Sequence, residues 1–169
     1  MRFEKVSYKA FYEDTKALMD RTLDDKYIEQ AYANIVIPER KTKYSAGYDI
    51  CTPFELLILP GESFCVPTGL RAVFEEDELE TWHLQMYVRS SVGIKNGIVL
   101  TNGTGIIDPD YQFAENEGDM MLALKNTSNG SVRYKAGDRL CQAVFAIHGI
   151  TSNDKASGKR TGGVGSTGK

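Results

Sequence analysis

Asp108, Asp110 and Tyr111 follow the stretch Asn102-Gly103-Thr104-Gly105-Ile106-Ile107 in a chain of 169 residues. A carboxylate held in a cleft can take a proton from water, and an aromatic ring can pack against a sugar or a base. The same residue types also build polar turns. Arg89-Ser90-Ser91, followed by Gly93, joins a guanidinium to two hydroxyls, a set that suits phosphate oxygens but also an ordinary strand end. Asp49, in Ala46-Gly47-Tyr48-Asp49, has the oxygen chemistry to hold a metal through water. The tail from Arg160 to Lys169 is rich in glycine, so successive backbone N–H groups can turn toward an anion while Arg160 adds a bidentate contact. Gly163, Gly168 and Lys169 stand at phosphate-loop spacing, but the chain ends at Lys169 and no strand precedes the loop. A phosphate loop needs a Ser or Thr next and then a helix, so a mobile arm folding over a triphosphate fits better.

These residues need a scaffold, and the pattern from Ile35 onward predicts an all-β one. Short apolar runs, Ile35 to Ile37, Leu56 to Leu59 and Phe64 to Val66, each stop at a proline. Trp82, Leu84, Met86 and Val88 alternate with His83, Gln85 and Tyr87, the period of a half-buried strand. Further runs are Ile98 to Leu100, Met120 to Leu124 and Leu140 to Ile147. Many short strands with regular turns point to a distorted jelly roll or β-sandwich, and the lack of βαβ alternation argues against a Rossmann fold. Residues 7–32 carry an apolar stripe, from Tyr8 and Tyr12 to Tyr27 and Ala31, that predicts an added N-terminal helical segment. Ser7 is its candidate cap, and Asp24-Asp25 a candidate break into two helices. The expected organisation is a helical extension over 1–34, a β domain over 35–151 and a flexible glycine-rich arm over 152–169.

Bulk properties narrow the partners. Hydrophobic residues make up 41% and charged residues 25%, which fits one soluble domain. A net charge of -3 argues against nucleic acid or an anionic membrane as a partner, but leaves room for a small anion. Cys51, Cys65 and Cys141 are odd in number and form no CxxC, so buried thiols in a reducing compartment are expected. No zinc site is expected, because His83 and His148 lie near no cysteine pair. Met1 to Ala10 is polar and mixed in charge, unlike a signal peptide, and no run nears the roughly 20 apolar residues of a membrane span, so a cytoplasmic location is expected.

Taken in order, the segments resemble the trimeric deoxyuridine triphosphatase family. Ala46-Gly47-Tyr48-Asp49-Ile50 is similar to its first motif and Arg89-Ser90-Ser91-Val92-Gly93 to its second. Gly105-Ile106-Ile107-Asp108-Pro109-Asp110-Tyr111 is similar to the third, Gly137-Asp138-Arg139-Leu140-Cys141-Gln142 to the fourth, and the glycine-rich tail to the fifth. The N-terminal helix and the Asn116-Glu117-Gly118 insertion resemble members from Firmicutes and their phages.

The resemblance implies an Mg²⁺-dependent hydrolase that cleaves dUTP to dUMP and pyrophosphate. It casts Asp108 as the base acting on water, and Asp49 as the Mg²⁺ contact through water. Arg89, Ser90, Ser91 and Gln142 would hold phosphate oxygens. Asn102 and the backbone of Gly105, Ile106 and Ile107 would read uracil. Tyr111 would pack under the deoxyribose and exclude a 2′-hydroxyl, with Met121 among the substrate contacts. Arg160, Ser166 and Thr167 would clamp the γ-phosphate while Val164 and Gly165 cover the base. It also implies a homotrimer whose sites are shared between subunits and, for a phage-encoded member, a host regulatory protein as a further partner. Three departures stand out. Val164 replaces the usual Phe, the spacing from Arg160 to Val164 is one residue short of many relatives, and Phe113 with the insertion replaces the usual Gly, which predicts a longer hairpin.

The rival with the same fold is a dCTP deaminase. That enzyme needs a glutamate in the strand after the third motif, where this chain has Ala123. Deamination would then lack its proton shuttle.

Overall fold

The alternation from Trp82 to Val88 does yield a strand, with Leu84 and Met86 buried and Tyr87 exposed. The computed structural model describes residues 1–19 and 22–162. Among its described elements are eleven short strands and two α-helices. The strands are β1 (Arg2–Lys5), β2 (Tyr48–Cys51), β3 (Leu56–Ile58), β4 (Ser63–Pro67), β5 (Leu70–Val73), β6 (Trp82–Val88), β7 (Ile98–Leu100), β8 (Gly105–Ile107), β9 (Met121–Asn126), β10 (Val132–Tyr134) and β11 (Arg139–Ile147). The helices, α1 (Tyr8–Leu18) and α2 (Asp25–Ala33), sit between β1 and β2.

All described pairings are antiparallel. A four-stranded sheet runs β2-β11-β6-β8 and a three-stranded one β4-β9-β7, with β1-β5 and β3-β10 as two-stranded ribbons. Inward residues of both larger sheets, among them Ile50, Leu84, Leu122, Leu124 and Leu140, share one buried core. This is the jelly-roll-like β architecture with a helical addition that the sequence predicts.

The N-terminal stripe resolves into two helices. Asp24 caps α2 by accepting from the amides of Lys26 and Tyr27, and Ser7 caps α1 by accepting from that of Ala10. The stripe looked continuous because both helices turn their apolar faces to the same core, α1 burying Ala10, Phe11 and Thr15 and α2 burying Ile28 and Ala31. Phe11 stacks on Phe54 with ring centroids 5.6 Å apart. Each fully buried aromatic of this kind contributes roughly 2–3 kcal/mol. Gly69 lets α1 dock: at φ +68 it is left-handed, and a Cβ there would lie 2.3 Å from Ile35.

Three other expectations need correction. Ile35 to Ile37 forms no strand: Ile35 closes a turn onto Tyr32 and packs in the core, while Val36 and Ile37 are exposed. Of the cysteines, all free, only Cys141 is buried, where burial pushes its thiol up to about 12; Cys51 and Cys65 are half-buried. The insertion lengthens no hairpin. Pro109–Phe113 forms a 3₁₀ turn instead, and Asn116 to Gly118 folds back on α1. Among the described residues no helix is long and apolar enough to cross a membrane.

One carboxyl is buried at a cost. Asp119 is fully buried; its Oδ1 accepts from the Gly69 amide at 2.8 Å, but its Oδ2 has no partner. Burial, and then the nearby Asp14 carboxylate, push its pKa well above the ordinary range. A carboxyl raised in the fold contributes stability that is complete below the unfolded value, about 3.9, and is lost as pH climbs through the folded value. Asp119→Asn keeps the Gly69 acceptor and removes the charge. Thermal midpoints are therefore expected to match wild type only below about pH 4 and to exceed it by a few degrees at about pH 8. An equal midpoint at both values would show that Asp119 pays no ionisation penalty.

Candidate active site

The sequence candidates fall into two clusters at opposite ends of β6. The first gathers where β2 and β11 meet the end of β6, because Gln142 pairs in register with Asp49 on one side and Tyr87 on the other. Asp49 is 7% exposed. Its Oδ2 accepts from Arg139 Nη1 at 2.8 Å, and its Oδ1 lies 3.1 Å from Arg89 Nε. That Arg89 N–H is buried yet not aligned on Asp49 or on any other acceptor, so the contact is an ion pair that leaves a donor unused. Gln142 Nε2 makes a long 3.5 Å contact to Asp49 Oδ1. A Cβ on Gly47 would approach Gln142 to 3.2 Å, so the glycine makes room for that amide. Beyond Arg89 the chain enters a single π-helical turn, Ser91–Lys95, with Ser90 and Ser91 exposed at its start. One carboxylate against two guanidiniums leaves a net positive cradle, which suits an anion of several oxygens.

The second cluster follows β8. Asp108 precedes the 3₁₀ turn and makes no cap bond with its side chain; its half-exposed carboxylate is held by Arg160 instead. Arg160 joins it to Asp110: the guanidinium contacts Asp108, its Nε donates to Asp110 Oδ1 at 2.7 Å, and it lies over the Tyr111 ring. Tyr111 is buried, and its hydroxyl donates to the Asp119 carbonyl at 2.8 Å. The Gln112 amide pins this turn to β5, donating to and accepting from the Phe74 backbone.

Between the clusters, β8 is an edge strand bonded only to β6, so one row of N–H and C=O groups on Gly105–Ile107 faces away from the sheet. Asn102 stands exposed at the tip of the β7–β8 turn, where Gly103 takes φ 73. Met121 opens β9, half-buried. Val164, Gly165, Ser166 and Thr167 lie outside the described residues.

The register sets the span. Ile107 pairs with Leu84, which puts Asp108 level with His83. Arg89 is six residues farther along β6, about 20 Å at roughly 3.3 Å per residue. One chain therefore does not bring Asp108 to its own Arg89-Ser90-Ser91.

Residue type and spacing assign no role to Arg139 or Asn116. In the structure Arg139 holds Asp49, and the Asn116 amide reaches Tyr111. Among the described residues no group of three or more His, Cys, Asp or Glu is placed to hold a metal. A single buried carboxylate beside an anion-binding cradle is chemistry that a hydrated Mg²⁺ accompanying phosphate oxygens would fit better than a bare ion caged by protein.

The molecule is a jelly-roll-like β domain that carries an arginine cradle and an open edge strand, and comparison with known proteins gives its family. The dUTPase family model matches residues 33–168. A Lactococcus lactis deoxyuridine 5'-triphosphate nucleotidohydrolase is 42% identical over 139 residues, covering 80% of this chain and 90% of the relative. A Neisseria meningitidis protein of the same name is 35% identical over 157 residues, covering 89% and 99%. The crystal structure of a Streptococcus mutans dUTPase superposes with a TM-score of 0.64 at 28% identity, covering 90% of this chain and 100% of that one. The chain belongs to the dUTPase family.

Proposed function

We propose that this dUTPase-family chain hydrolyses dUTP to dUMP and pyrophosphate at sites built between the subunits of a homotrimer. The reaction follows from family membership. The shared site rests on one observation, the roughly 20 Å of β6 that separates Asp108 from the cradle of its own chain. A neighbouring subunit supplies the other half.

Each cluster then has a part. Asp108 orients a water on the α-phosphorus and takes its proton as the new P–O bond forms and the bond to the bridging oxygen breaks, releasing pyrophosphate. Arg89, whose side chain is partly exposed, binds phosphate oxygens together with Ser90, Ser91 and Gln142. Asp49 would hold a hydrated Mg²⁺, which when bound would supply charge neutralisation to the phosphate chain. The open edge of Gly105, Ile106 and Ile107, with Asn102, reads uracil through fixed donors and acceptors that cytosine would leave mismatched. Tyr111 packs under the deoxyribose, and Met121 borders the substrate. The arm closes the site with Arg160, Ser166 and Thr167 on the γ-phosphate. Arg160 lies on Asp108 and Asp110 of its own chain, so a triphosphate competes for its guanidinium and frees the base.

Pyrophosphate release from dUTP, dCTP, dTTP and UTP with Mg²⁺ tests the substrate. Turnover of dUTP far above the other three is expected, and comparable turnover of dCTP or UTP would overturn the assignment. Val164 replaces the ring that the family stacks on uracil. Val164→Phe is expected to raise kcat/KM for dUTP up to about tenfold, since aromatic stacking contributes roughly 0.5–1.5 kcal/mol. Unchanged constants would show that position 164 does not cover the base.

A further inference from the structure

The inserted residues tie Tyr111 to the first helix. Asn116 Nδ2 donates to the Tyr111 hydroxyl at 2.9 Å and to Asp14 Oδ2, on α1, at 3.2 Å. Its Oδ1 accepts from the Gly118 amide at 3.3 Å. Glu117, at φ 59, turns its carboxylate to the cap of α1, where the Ser7 amide and hydroxyl donate at 2.8 and 2.6 Å. Gly118, at φ +79, presses this loop against the Tyr111 turn; a Cβ there would lie 2.8 Å from the Tyr111 carbonyl. The amide of Asn116 is thus held from both sides, and the tyrosine hydroxyl it meets is already fixed by the Asp119 carbonyl.

We propose that Asn116 is a positioning residue for Tyr111, and that through Asp14 the first helix sets how closely the Tyr111 ring fits the sugar. This rests on the reading of Tyr111 as the deoxyribose platform. Rejection of a 2′-hydroxyl is a steric test, and steric tests fail when the rejecting wall can yield. Fixing both the hydroxyl and the backbone of Tyr111 keeps that wall rigid. Removing Asn116 leaves the Tyr111 hydroxyl bonded to the Asp119 carbonyl while the ring gains freedom, and the Asp14 carboxylate and the Gly118 amide lose this partner.

The test is the ratio of kcat/KM for dUTP to that for UTP, measured on the full chain. Asn116→Ala is expected to lower this ratio roughly three- to tenfold, the worth of one hydrogen bond. Asp14→Ala, which cuts the tie from the helix side, should move it in the same direction. In a Tyr111→Phe background, Asn116→Ala should change the ratio no further, because both act through one contact. A merely structural role would lower both activities together and leave the ratio alone, which would overturn the proposal. So would a full additional effect of Asn116→Ala in the Tyr111→Phe background. Tyr111→Ala separates the two levels. If it leaves the ratio unchanged, the platform reading falls and the proposal with it. If it collapses the ratio while Asn116→Ala and Asp14→Ala do not, the platform stands and only the positioning role falls.

Discussion

Asp108→Asn is expected to reduce pyrophosphate release from dUTP by at least about 10²-fold while leaving assembly and melting close to wild type. The structure gives the reason for both halves. The Asp108 carboxylate is half exposed and makes no bond to the turn it begins, so the fold does not depend on its charge. Asparagine keeps the size and can still accept from Arg160, but it cannot take a proton from water. Loss of the Arg160 ion pair costs little at this exposure. Steady-state kinetics with saturating Mg²⁺, beside a thermal melt, read the two effects separately. Retained turnover would remove Asp108 from the chemistry.

Asp49→Asn should be costly in a different way. This carboxylate is 7% exposed and stands between Arg139 and Arg89. Neutralising it leaves two guanidiniums without their shared counter-charge. Breaking a buried pair costs roughly 3–5 kcal/mol, and the partly exposed arginines place this case at the low end, about 3 kcal/mol. That corresponds to a fall of roughly 6–12 °C in the melting midpoint. The Mg²⁺ concentration for half-maximal activity should also rise, about tenfold or more, because the outer contact to the hydrated ion is lost. A lower melting point with an unchanged Mg²⁺ requirement would make Asp49 a structural ion pair and nothing more.

Local pattern carried much of the fold and little of the pairing. β6 was legible because a half-buried strand writes its two faces into alternating residues. β1 was not: Arg2–Lys5 has Phe3 as its one apolar residue and pairs with β5 alone. The β-branched run Ile35 to Ile37 signals a strand by propensity, yet packing against Gly69 and α1 decides its course. In the site, residue types announced Asp49, Arg89 and Asp108 one at a time. Their partners lie far off in sequence, as Arg139 does from Asp49 and Asp14 from Asn116. An insertion of Asn, Glu and Gly reads as a loop until the helix it grips is in place. Arg160 against Asp108 was equally hidden, since a glycine-rich tail carries no periodicity to say where it lands.

Subunit mixing tests the central claim most directly. Asp108→Asn and Ser90→Ala impair different halves of the proposed site and should each be nearly inactive alone. Unfolded together and refolded into mixed trimers, they should recover activity, with roughly one site in four drawing both intact residues from different chains. If mixed trimers form and remain as inactive as either parent, Asp108 and Ser90 do not meet across a subunit boundary, and the shared site is wrong.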